Sequence, residues 1–251
     1  MGKSKKKKKK SQSKFKFYFI NILLGIVIVV VALMIMSSIL CVIHDVEVSG
    51  AKHYSEIEIE EYVLTGKYKG NSIYVFADNL VHPKKDIPFV ESAKVKLNSY
   101  DKVKIEIKEK SMLGYMAMTD GNFAYFDEEG NVVEVSNIPL SDVMFFAGIQ
   151  IEKAVEGEPL GIDEKQLSRM LAVMRGLEKY NIPVNAANFD ENGNFVVAYN
   201  SVYINFGKGD NAEEKVKRLQ YILPNLVDMS GILHLEDWTT QDTDIVFEKT
   251  T

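Results

Sequence analysis

Twenty-seven consecutive residues, Phe17 to Ile43, carry no charged side chain. As a helix rising ~1.5 Å per residue, this run reaches about 40 Å, enough to cross a ~30 Å hydrocarbon core. Only a helix satisfies its own backbone there, so the pattern predicts one transmembrane helix over 17–43. A cleaved leader has a shorter apolar region, roughly 7 to 15 residues, ending in a small-x-small site. Leu40 stands where a small residue would precede Cys41 in a lipoprotein signal. The run therefore reads as a retained anchor.

Past the span the hydrophobic period drops to two. Val42, His44, Val46 and Val48 lead an alternating strand that stops at Ser49-Gly50. Ser55 with Glu58 three residues on forms a capping-box pattern, and Ile59, Tyr62 and Val63 supply the buried stripe of a short helix. Gly70-Asn71-Ser72 breaks the chain before Ile73-Tyr74-Val75-Phe76. A weaker helical stretch follows over Asp78 to Lys85, kept short by Pro83 and Pro88. Two alternations, Ala93/Val95/Leu97 and Val103/Ile105/Ile107, then predict a hairpin with one buried face. Laid on a three-stranded sheet, these helices make a small α+β unit over 44–110.

Beyond Lys110 short strands predominate, at 112–118, 123–126, 132–135, 195–199 and 202–206, with final strands at 231–235 and 245–247. Phe126-Asp127-Glu128-Glu129-Gly130-Asn131 reappears as Phe189-Asp190-Glu191-Asn192-Gly193-Asn194, which predicts two similar hairpin turns. Two helices interrupt the strands. One is capped by Asp163 and carries Leu167, Met170, Leu171, Met174 and Leu177. The other starts near Asn211, carries Val216, Leu219, Ile222 and Leu223, and stops at Pro224. The expected fold class is α+β: an N-terminal transmembrane helix, a small α+β domain, and a mostly antiparallel β domain over 111–249 with two helices.

Charge refines the topology. Nine lysines precede the apolar run, among them Lys5, Lys6, Lys7, Lys8, Lys9 and Lys10, and the first acidic residue is Asp45. Basic residues resist translocation and the aromatics Phe15, Phe17, Tyr18 and Phe19 suit the headgroup boundary. The 1–16 tail is therefore expected inside the cell and the bulk of the chain outside. Setting those nine lysines aside leaves 21 basic against 35 acidic residues, a formal −14 concealed by the overall −5. So acidic a body is a poor ligand for phosphate backbones, and no nucleic-acid partner is expected.

Candidate chemistry is sparse. Cys41, the single cysteine, lies within the span, so the outer body has no thiol. His44, His53, His82 and His234 are dispersed, without metal-ligand spacing. Asn188-x-Asp190-x-Asn192-Gly193 imitates the opening of an EF-hand loop, but its twelfth position is Tyr199, not a glutamate, so the string reads as a turn. No G-x-S-x-G elbow occurs, and paired carboxylates such as Glu60-Glu61 sit in polar runs. No cofactor, metal or catalytic residue is expected. The alternative reading is a membrane-tethered, extracytoplasmic cell-wall enzyme, because a dispersed triad leaves no local motif.

The order of features is more informative than any motif. A basic tail and one span precede Val46-Glu47-Val48-Ser49-Gly50, the Ser55 helix and Asn71-Ser72-Ile73-Tyr74. Then come Pro88 through Val95, Val103 through Lys110, Phe123 through Gly130, and Lys215 to Leu235. This succession resembles the FtsQ/DivIB family of bacterial cell-division proteins. Two departures are Asn98-Ser99-Tyr100-Asp101, where many members have a proline, and Leu233-His234-Leu235-Glu236, where the family often shows Asp-Leu-Arg. The resemblance implies that 44–110 is a polypeptide-transport-associated (POTRA) domain and that the protein is a non-enzymatic divisome scaffold in the cell membrane at the septum. It further implies binding to FtsL and to an FtsB/DivIC-type protein, and regulation of the septal peptidoglycan synthase complex. The partner segment is expected to add a strand at the C-terminal edge of the β domain, at Leu233, Leu235, Trp238, Ile245, Val246 and Phe247.

Overall fold

The structure, a computed structural model, describes residues 3–208, 211–242 and 244–250, with side chains from residue 16 onward. Lys5 to Lys10 thus lie outside the described side chains. The chain divides into two compact units, Met1–Glu109 and Lys110–Thr251.

The first unit opens with α1 (Lys3–Leu40), a single helix that continues back through the lysine-rich tail. Its Lys16–Leu40 portion includes an 18-residue stretch with a mean hydropathy of 3.1, covered by nothing else among the described residues. It is long and apolar enough to cross a membrane, which fits a single-pass membrane protein. After it come β1 (Asp45–Ser49), α2 (Glu56–Val63), α3 (Ser72–Val81), β2 (Val90–Leu97) and β3 (Lys102–Glu109). The sheet order is β1-β3-β2, with β1 parallel and β2 antiparallel to the central β3. Ser55 and Glu58 cap α2 reciprocally, as the sequence pattern requires. Ile59, Val63 and Val75 from the helices meet Ala93, Val95, Val103, Ile105 and Ile107 from the sheet in one core.

One element differs from its sequence pattern. α3 begins at Ser72, not at Asp78, and the expected stretch over Asp78 to Lys85 is only its last turn. The cause is Asn71, whose side-chain oxygen accepts from Tyr74 N–H at 2.9 Å and so starts the helix six residues earlier.

The second unit contains β4 (Gly114–Ala117), β5 (Phe123–Phe126), β6 (Val132–Ser136), β7 (Met144–Ala147), α4 (Glu164–Lys179), β8 (Ala186–Phe189), β9 (Phe195–Tyr199), β10 (Val202–Gly207), α5 (Ala212–Ile222), a 3₁₀ turn at Leu223–Asn225, β11 (Gly231–His234) and β12 (Val246–Lys249). Among the described residues the strands form one nine-stranded sheet, in the order β12-β11-β10-β9-β8-β7-β4-β5-β6. Five of its pairings are antiparallel and three parallel. Two of the parallel pairs, β7 with β8 and β10 with β11, are joined through α4 and α5, since parallel neighbours need a crossover. β7 and β8 are additions to the sequence pattern. Each has four residues.

Both helices bury their apolar stripes, including Met170, Leu171, Leu177, Val216 and Leu219, against the inward residues Phe146, Phe195, Val197, Ile204 and Leu233. The two similar turns are built alike. Asp127 and Asp190 each accept, through Oδ1, the N–H of the residue four positions on, and each backbone carbonyl accepts from the glycine N–H three positions on. The EF-hand-like string is thus the β8–β9 hairpin.

Candidate functional site

Two sheets present four strand edges, and unpaired backbone on such an edge is a ready template for another chain. Three of the four are blunted. On β2, the Asn79 side chain donates to Ala93 O at 3.2 Å and accepts from Val95 N–H at 3.0 Å, so a buried amide stands in for a neighbouring strand. On β6, Val132 exchanges backbone bonds with Glu158 and Gly157, both 2.8 Å, and Lys110 Nζ donates to Val133 O at 2.6 Å. β1 is five residues long and carries Asp45 and Glu47, paired across to Lys102 and Lys104 at 3.1 Å each. At the fourth edge, β12, no side chain or loop backbone bonds to the outer side among the described residues.

Register fixes which groups that edge offers. Leu233 faces Phe247 and Ile232 faces Glu248, while Thr250 N–H donates to Ser230 O at 3.0 Å. In antiparallel pairing the bonded residues alternate, so Glu248 and Val246 turn their backbone toward β11. Phe247 and Lys249 therefore present theirs outward. Side chains alternate as well: Phe247 packs on the core face, and Val246, 65% exposed, stands on the opposite face.

The six residues expected at the edge separate into three groups. Leu233 and Leu235 are both buried in the core, because β11 is an interior strand bonded on both sides. Ile245, Val246 and Phe247 lie at or within β12. Trp238 lies on the segment between β11 and β12, partly buried against the core, beside Arg218, Tyr221 and Asp242 around an open hollow of about 510 Å³. Its indole N–H is buried without a hydrogen-bond partner.

Residues missed by the sequence pattern hold this region together. Lys215, 2% exposed, donates through Nζ to Phe206 O and to Glu236 O, each at 2.9 Å, tying α5 to the end of β10 and the exit of β11. The available signal is spacing, since Lys215, Leu219 and Ile222 share the inward stripe of α5. His234 Nδ1 lies 2.7 Å from Glu236 and its Nε2 3.4 Å from Glu248 on β12, so one imidazole bridges the last two strands.

The Glu236 hydrogen bond, with a smaller contribution from Glu248, raises the His234 imidazole above its ordinary 6.5. A pKa raised by folding contributes stability that is fully present below the unfolded value and is lost as pH rises through the folded one. Resistance to urea is therefore expected to fall from about pH 6.5 upward, and His234→Gln to flatten that slope. Superimposable pH profiles for the two proteins would rule out the bridge.

No protein-family model matches the chain. The cell division protein DivIB of Clostridium tetani (strain Massachusetts / E88) is 25% identical over 202 residues, which is 76% of this chain and 76% of that protein. This relative supports the resemblance to the FtsQ/DivIB family. The architecture is α+β behind one apolar helix, and the β12 edge is the candidate site.

Proposed function

We propose that this protein is a non-enzymatic scaffold of the bacterial division machinery. A cell-division role follows from its DivIB relative; the scaffold reading rests on the β12 edge. In this reading Lys5 to Lys10 hold the N terminus in the cytoplasm. α1 crosses the membrane once and residues 44–110 form the POTRA domain. The β domain of 111–249 binds FtsL and the FtsB/DivIC-type protein outside the membrane, at the septum, and through them influences the septal peptidoglycan synthase complex.

The observation that carries the proposal is the difference between β12 and the other three edges. A partner strand laid along β12 would take the outward N–H and C=O groups of Phe247 and Lys249. Val246 and Trp238 would supply side-chain selectivity. Binding by strand addition needs no converging acid, base and nucleophile, only an accessible, correctly registered backbone.

Lys249→Pro tests this directly. Proline removes an N–H that points away from β11 and costs no bond within the sheet, whereas Glu248→Pro deletes an intrasheet bond and serves as the contrast. Co-purification of the full chain with its two coiled-coil partners is expected to weaken at least tenfold for Lys249→Pro and for Trp238→Ala, with Lys249→Pro as stable as wild type. Undiminished capture by a folded Lys249→Pro protein would sink the edge assignment.

A further inference from the structure

The end of α1 is not flexibly joined to the first outer unit. Asn71 Nδ2 donates to Ser37 O at 2.9 Å while its oxygen caps α3, so one side chain serves the last turn of one helix and the first of another. Ser72 N–H donates to Cys41 O at 2.9 Å, Ile43 N–H to Gly70 O at 2.8 Å and His44 N–H to Asp101 O at 2.9 Å. The Ser72 hydroxyl reaches Tyr100 O as well. Within four residues of the helix end at Leu40, two separate loops, at 70–72 and 100–101, are fastened together and to the chain.

These loops and the residues next to them carry large apolar side chains that the unit leaves uncovered: Val42 at 40% exposure, Tyr68 at 56%, Ile73 at 45% and Tyr100 at 65%. Lys67 and Lys69 flank Tyr68, with Lys67 Nζ 5.6 Å from the Tyr68 ring centroid. The headgroup region outside the hydrocarbon core is only roughly 5 to 8 Å deep on each side. Residues bonded to 41–44 cannot stand far above it. Tyrosine with adjacent lysine suits that layer, the ring lying among glycerol and carbonyl groups and the ammonium reaching phosphate.

We propose that this end of the first outer unit is a lipid-contacting face. Tyr68, Ile73 and Tyr100 seat in the outer-leaflet headgroup layer, Lys67 and Lys69 contact lipid phosphates, and the Asn71 clamp holds the unit at a fixed height. The occupant is the bilayer that α1 crosses, argued from the continuity of backbone bonds between the span and the face. The inference rests on the reading of α1 as a membrane span.

Tryptophan fluorescence of the full chain in phosphatidylcholine–phosphatidylglycerol vesicles tests it, with Trp238→Phe removing the native probe. Trp is introduced one position at a time: Y68W and Y100W at the face, M34W inside α1, and I57W on the opposite end of the unit. Lipids brominated near the carbonyl region are expected to quench Y68W and Y100W at least twofold and to leave I57W unchanged. If M34W is quenched but both face probes match I57W, the span is inserted and the lipid-contacting face is wrong. If M34W itself is unquenched, the spanning reading fails and takes the face with it.

Discussion

Lys215→Ala is expected to lower the unfolding free energy by about 3–5 kcal/mol, read from urea denaturation of the full chain in detergent with Trp238 emission as the signal. The magnitude has two sources. Truncation leaves the carbonyls of Phe206 and Glu236 without the donor that both use at 2.9 Å. It also removes three methylenes from a site that is 98% covered, opening a cavity under α5. Lys215→Met separates these causes, because it keeps most of the volume and loses only the donor. An intermediate loss for Met is the expected result; equal stability of Met and wild type would mean the ammonium contributes nothing. Since both carbonyls frame the start and finish of the segment leading to β12, either variant should also loosen the candidate edge.

Gly148→Ala is the second large effect, on the order of 4 kcal/mol, a size reserved for substitutions with a definite steric mechanism. Gly148 has φ +89°, and a Cβ there would lie 1.9 Å from Phe189 O and 2.8 Å from its carbonyl carbon. The obstacle is backbone, held in register by the Phe146–Ala187 and Ala147–Asn188 pairing of β7 with β8. It cannot rotate aside as a side-chain tip would. Gly121→Ala is the matched comparison, with the same φ of +89° and nothing within 4 Å of the built Cβ. That variant should lose only the roughly 1–2 kcal/mol of left-handed backbone strain. Thermal or urea unfolding of the pair measures the close approach by difference, and similar losses would show that β7 and β8 can part without penalty.

The elements legible in the sequence were those whose signals are local. A charge-free run of 27 residues states its own environment, because only lipid or a large core accepts it. Ser55 with Glu58, and Asp163 at the start of α4, satisfy helix N–H groups within three residues. Asp127 and Asp190 fold their turns with carboxylates no more than four residues from the groups they hold. The cap at Asn71 is hidden by the chain-breaking Gly70 before it, so the pattern starts α3 six residues late.

Which strand lies at an edge was not legible, because a strand's neighbours are set by pairings across long stretches of chain. Leu233 and Leu235 alternate like residues of any half-buried strand. Only the parallel pairing of β11 with β10, made through α5, and the return of β12 on its other side place them inside the sheet. The same holds for Asn79, an ordinary helix residue until β2 brings Ala93 and Val95 against it, and for Lys215, whose partners lie 9 and 21 residues away. The sequence by itself determined the anchor, the fold class and the local caps and turns, since these depend on residues a few positions apart. The tertiary structure decided that β12 is the edge left open among the described residues, because an edge is defined by the absence of a neighbour, and no residue encodes that within its own segment.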